Sequence, residues 1–161
     1  MQLPKRKPGK YMQMPTDHAM TKNKYEELER ELEKLKQKRP SAAKEVSRLA
    51  ELGDFSENVE YQLAKGRLRG INSAILKLGY RISHAELIKS GKDGVVQLGS
   101  TVIIKTPKGE KTYTILGASE ADPANGIISR QSPLGSALLG HKVGDLVEVE
   151  RFGKCELVKI R

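Results

Sequence analysis

Within Leu52–Tyr61, LGDFSENVEY, three carboxylates fall inside seven residues: Asp54, Glu57 and Glu60. Their spacing suits two kinds of chemistry. One is structural. Gly53 is a natural terminator for a preceding helix and Asp54 a natural N-cap for a following one, with Glu57 three residues on completing a capping-box pattern. Acids near a helix N-terminus also suit its dipole. The other is metal chemistry. Carboxylate oxygens are the ligands Mg²⁺ prefers, and one or two suffice when a substrate phosphate supplies the rest. Such a pair helps place an ion and a water for phosphodiester hydrolysis. It offers no enclosing pocket, so this reading requires a host active site.

The flanking sequence says how the acids are carried. Tyr25, Leu28, Leu32, Leu35, Arg39, Ala42, Val46 and Leu49 alternate steps of three and four, and only Arg39 breaks the apolar stripe. Tyr61, Ala64, Leu68, Ile71, Ile75, Leu78, Ile82 and Ala85 do the same without a break. Each is a coiled-coil seam of about four heptads. The stripes mirror one another: Leu49 and Tyr61, Leu35 and Ile75, Leu28 and Ile82, and the five pairs between and beyond them are equidistant from Phe55 along the chain. An antiparallel hairpin turning about Phe55, with helices over 22–52 and 56–88, brings all the pairs to similar heights. At a rise of ~1.5 Å per residue its arms are about 45–50 Å long. Pro40 should kink the first arm. Gly66 and Gly70 should weaken the second by about 1 kcal/mol each relative to alanine. Arg39, opposite Ile71, should snorkel from the seam.

Composition bounds the rest. The chain has 161 residues and a net charge of +9, which suits a polyanionic partner or an acidic protein channel. The excess is uneven: 19 Lys/Arg against 12 Asp/Glu over residues 1–90, and 10 against 8 over 91–161. No apolar run is long enough to span a bilayer, and the N-terminus lacks a signal-peptide core. Cys155 is the only cysteine, so no internal disulfide is possible and a reducing cytoplasm fits. His18, His84 and His141 lie in no zinc-ligand spacing, and no Walker loop or nucleophile elbow appears. Texture changes near SGKDG (90–94), where charged helical sequence gives way to β-branched, Gly-punctuated sequence. That divides the chain into a basic flexible arm over 1–20, the hairpin over 21–89 and a mostly β domain over 90–161. In the last, STVIIKT and KTYTIL flank PKGE as a hairpin, GIISR reads as a strand, Ser132–Pro133 opens a short helix, and LVEVER and KCELVKIR flank FG.

RPSAAKEVSRLAELGDFSENVEYQLAKGRLRGI closely resembles the N-terminal hairpin of the bacterial Gre transcript-cleavage factors, the GreA/GreB family. SHAELI, LGSTVII and SPLGSALLGHKVGDLVEV resemble the linker and C-terminal segments of that family, and the basic KGRLRGI leans towards its GreB-like branch. The resemblance implies an α+β protein: an antiparallel coiled-coil hairpin, then a small FK506-binding-protein-like β domain with a short helix. It implies a monomeric cytoplasmic factor that binds RNA polymerase and inserts its hairpin through the secondary channel. The catalytic and metal-holding tip acids map onto Asp54 and Glu57, sharing Mg²⁺ in the polymerase active centre. No metal would be held stably by the chain alone, and polymerase itself would cut the backtracked RNA. Gly53, Phe55, Ser56, Asn58, Glu60 and Tyr61 would support the tip, Glu60 in a structural or minor electrostatic role. Lys65, Arg67 and Arg69 would face the nascent RNA 3′ segment.

Three rivals are weighed against this. A prolyl isomerase or chaperone with a coiled-coil arm would need an aromatic pocket, yet residues 91–161 hold only Tyr113 and Phe152. A channel-plugging inhibitor without cleavage activity would have lost or rearranged the tip acids. A general nucleic-acid binder, for DNA or RNA, would have little stacking surface at 4% aromatic residues.

Overall fold

The computed structural model describes residues 17–53, 58–89 and 94–161. Its first half is a two-helix hairpin. Helix α1 (Lys22–Ala50) begins where the Thr21 side chain accepts the Lys24 N–H at 3.2 Å. It runs through Pro40 without a break. Proline cannot donate to the Lys36 carbonyl, but both residues are exposed, so that carbonyl faces water. Helix α2 (Val59–Ser83) returns alongside it. A Cβ at Gly66 or Gly70 would meet nothing within 4 Å, so no close packing inside the chain requires either glycine.

The seam follows the apolar stripes. Leu28 and Leu78 are buried in one cluster, with Tyr25, Leu32, Leu35, Ile82 and Ala85 packed against it. Leu49, Ala42 and Ala64 are buried farther along. Two polar cross-links mark the pairing level: Arg39 Nε donates to Asn72 Oδ1 at 2.8 Å, and Arg67 Nη1 to Glu45 Oε2 at 3.2 Å. Their midpoints along the chain, 55.5 and 56, lie within one residue of the expected centre at Phe55. The pairing is therefore antiparallel and in the expected register.

Three helix boundaries differ from the expectation, the first being the end of α1, two residues before residue 52. α2 starts three residues later than residue 56 and ends five before residue 88. Beyond Ser83 the backbone turns to strand β2 (Glu86–Leu87), because a better partner is available. Strand β1 (Ala19–Met20) pairs with it in parallel, and the Glu86 and Ile88 N–H groups donate to the His18 and Met20 carbonyls at 2.9 Å. Residues 17–20 are therefore not the end of a flexible arm. Ala19 and Met20 are each only 2% exposed, and Met20 joins the Leu28–Leu78 cluster. Residues 1–16 lie outside the described residues.

The second half is a five-stranded sheet in the order β5-β4-β3-β7-β6, comprising β3 (Thr101–Thr106), β4 (Gly109–Leu116), β5 (Ile127–Ser129), β6 (Leu146–Val149) and β7 (Gly153–Ile160). Both expected hairpins form, and only the β4–β5 pair is parallel. A bulge between Ile103 and Ile104 shifts the β3–β7 register. Alternation sends Val102, Ile104, Ile115, Val147, Val149, Cys155 and Leu157 to one face, where helix α3 (Pro133–Leu138) covers them with Leu134 and Leu138. Ser132 caps α3 as expected, accepting the Gly135 N–H at 3.0 Å. This interior is aliphatic. Tyr113 and Phe152 only pack against it from the side, so it offers no aromatic pocket for a prolyl peptide.

Candidate functional site

The candidate site is the far end of the hairpin. α1 stops at Ala50 with Glu51 as C-cap, whose N–H donates to the Ser47 carbonyl at 3.1 Å. Two residues on, Gly53 has φ +95°, a conformation that costs glycine little and other residues much. Asn58 is the N-cap of α2: its Oδ1 accepts the Tyr61 N–H at 3.1 Å. Asp54, Phe55, Ser56 and Glu57 lie outside the described residues.

The cap at Asn58 corrects the expectation of a capping box at Asp54 and Glu57. α2 starts at Val59, so neither acid is its N-cap or its N3 residue. Two overlapping N-terminal signals stand four residues apart in the sequence, and the second one starts the helix. Glu60 is exposed in the first turn, where a carboxylate suits the dipole.

Near the tip the surface is apolar as well as charged. Leu52, Val59 and Leu63 are 69%, 69% and 63% exposed. Lys65 Nζ lies 5.8 Å from the Tyr61 ring centroid, a cation–π arrangement that also places the ammonium on the tip side of its helix turn. Arg69 is exposed one turn farther along, about 40° around the helix from Lys65. Arg67 does not join them. It sits about 200° around from Lys65, and its guanidinium is paired with Glu45 across the seam. Of the three cations expected to face RNA, Lys65 and Arg69 share one face of α2, and Arg67 lies on another, paired with Glu45. Arg39 likewise turns to Asn72 rather than merely trailing out of the seam.

Among the described residues no group of three or more His, Cys, Asp or Glu side chains is placed to hold a metal ion. Among them, too, no helix is long and apolar enough to cross a membrane. The Asp54–Glu57 pair that the sequence offers for a divalent cation lies outside the described residues. Two carboxylates fit an ion shared with other ligands, not a closed protein site.

Residues 18–87 match the family model described as transcription elongation factor, N-terminal, and residues 91–161 match that of the GreA/GreB transcription elongation factor C-terminal domain. The chain is 44% identical over 148 residues to the transcription elongation factor GreA of Geobacillus kaustophilus, covering 89% of this chain and 94% of that protein. It is 44% identical over 147 residues to the GreA of Nautilia profundicola, covering 88% and 90%. Among solved structures, the GreA factor homolog 1 protein of Thermus thermophilus is 28% identical, covering 89% of this chain and 97% of that one, with a TM-score of 0.42.

Proposed function

The chain belongs to the GreA/GreB family of transcription elongation factors, and from that premise we propose that it binds RNA polymerase and delivers Asp54 and Glu57 through the secondary channel to a backtracked active centre. The observation that carries this reading is the division of labour at the tip. Asn58 caps α2, so the helix does not need the two acids that precede it. A pair of carboxylates at the end of a hairpin of about 40 Å has reach but no pocket, which suits a site completed by another protein.

The surroundings support insertion. A rim of exposed Leu52, Val59 and Leu63 costs solubility unless something covers it, and the walls of a channel would do so. On the Lys65–Arg69 face, two cations one turn apart would lie along the extruded RNA phosphates, holding the strand by charge and without sequence preference.

Mg²⁺ bound in the polymerase active centre would polarise the scissile phosphate and acidify a water. The residues of this chain that would hold it there are Asp54 and Glu57. Their work is to supply negative charge and oxygen donors at a place where polymerase has too few, and to orient a water by hydrogen bonding. Polymerase would make the cut. The chain acts as a monomer and is no nuclease by itself, and the new RNA 3′ end returns to register. An RNA-cleavage assay on stalled polymerase, with and without the protein, tests this. Stimulated release of short 3′ fragments is the expected result. A protein that occupies the complex and slows elongation without releasing fragments would be the channel-plugging inhibitor instead.

A further inference from the structure

Residues 17–21 hold the sheet to the base of the hairpin through a set of contacts that chain connectivity does not require. The Asp17 carboxylate is fully buried. It accepts from Arg130 Nη2 at 2.7 Å, from the Ala118 N–H at 2.9 Å and from the Ala19 N–H at 3.1 Å. Glu120 makes the reverse link. Its two oxygens accept the Thr21 N–H at 2.7 Å and the Thr21 hydroxyl at 2.6 Å. Between these two links Gly117 lies so close to the segment that a Cβ there would run into the Ala19 carbonyl oxygen. Met20, on the same short strand, is buried in the hairpin core. One five-residue segment is therefore bonded to the sheet on one side and packed into the hairpin on the other.

We infer that Asp17, Thr21, Gly117, Glu120 and Arg130 form a latch that sets the angle of the hairpin on the sheet domain, and that they are positioning residues for the tip. The inference rests on the tip-delivery reading above. The reasoning is one of leverage. α1 has 29 residues, so the arm beyond the latch is about 43 Å long. A swing of about 10° at its base moves the tip by about 7 Å at that length. Reacting groups must be held to a few tenths of an ångström, and a misplacement of about 1 Å can cost about a hundredfold in rate. The covalent route from α2 to the sheet runs over residues 84–100, 17 residues long. Apolar contact helps: a Cβ on Gly99 would meet Ile88 at 2.8 Å, so Ile88 lies against the sheet domain. The directional bonds, however, are those of Asp17 and Glu120. Removing them would leave both halves folded, since each has its own core.

The test uses the full chain with spin labels at the exposed positions Lys44→Cys and Lys154→Cys, the buried Cys155 staying unlabelled. Distances are measured by double electron–electron resonance in the parent, in Glu120→Ala/Arg130→Ala, in Gly117→Ala, and in Glu120→Gln as the conservative control. The expected result is one narrow distribution for the parent and for Glu120→Gln, and at least a doubling of its width in the other two at unchanged helicity. On stalled polymerase those two should bind at the parent's half-saturating concentration and reach a cleavage plateau about tenfold lower. A parent-like distribution in both would overturn the latch. A broad distribution with a full cleavage plateau would overturn its positioning role. If the parent protein stimulates no cleavage at all, the functional reading fails, while the distance distributions still decide whether the latch sets the angle.

Discussion

Replacing Asn58 with alanine removes the side-chain oxygen that accepts the Tyr61 N–H at 3.1 Å at the start of α2. Val59 is 69% exposed and Leu63 63%, so the nearest buried anchor on α2 is Ala64. Loss of such a cap costs about 1 kcal/mol. With so little burial to resist it, most of that cost should appear as local opening. An energy of that size shifts the open population about fivefold. Amide exchange at Tyr61 and Gln62, whose N–H groups bond to the Asn58 side chain and carbonyl, should therefore speed up about fivefold, while the midpoint of thermal unfolding falls by only about 2–4 °C. Asn58→Asp should retain the cap and restore parent exchange rates, because the two side chains cap almost equally well. Asp54→Ala should leave exchange at these amides unchanged. Hydrogen exchange read residue by residue, with calorimetry alongside, checks all three. Faster exchange in Asp54→Ala than in Asn58→Ala would show that the helix start had been assigned to the wrong residue.

The basic face gives a second expectation: Lys65→Glu/Arg69→Glu should weaken cleavage of long backtracked RNA more than of short, and added salt should narrow the gap. Arg67→Ala, by contrast, should cost at most about 1 kcal/mol of stability, since the Glu45 pair is largely exposed, and should change cleavage little at any RNA length. Equal losses for every length in the first variant would point to docking rather than to the RNA path. Burial pushes the Cys155 thiol up from its ordinary value. Its contribution to stability is therefore complete below the unfolded-state value of about 8.5 and lost as pH rises through the folded one. The same burial should block a thiol reagent at pH 8 until the sheet unfolds, and rapid stoichiometric labelling of the native protein would contradict it.

Much of this architecture was legible because it is local or periodic. The two stripes fix which faces meet, and their common centre at Phe55 fixes the register to within a residue, as the Arg39–Asn72 and Glu45–Arg67 bonds show. The sheet hairpins and the Ser132–Pro133 helix start are likewise written in neighbouring residues. What could not be read was long-range. Ala19–Met20 is too short to show a period, and the partners of Asp17 and Thr21 are Arg130 and Glu120, about a hundred positions away. Ala85 continued the stripe although the helix stops at Ser83, because it packs on the same cluster from a non-helical segment. At the tip, Asp54 and Asn58 offered competing helix starts, and nothing local ranks them. That misplacement matters for function, since a cap role for Asp54 was the main structural alternative to a role in chemistry.

The measurement that bears most directly on the central claim is transcript cleavage by stalled polymerase with the Asp54→Asn/Glu57→Gln double variant. Both replacements keep the size and polarity of the side chains and remove only charge. Melting temperature and polymerase affinity should match the parent protein. Cleavage should fall by at least about a hundredfold, the scale on which preorganised charge at a reacting centre acts, and raised Mg²⁺ should restore part of it. Full cleavage by the folded, polymerase-bound double variant would contradict the claim that this tip supplies the carboxylates.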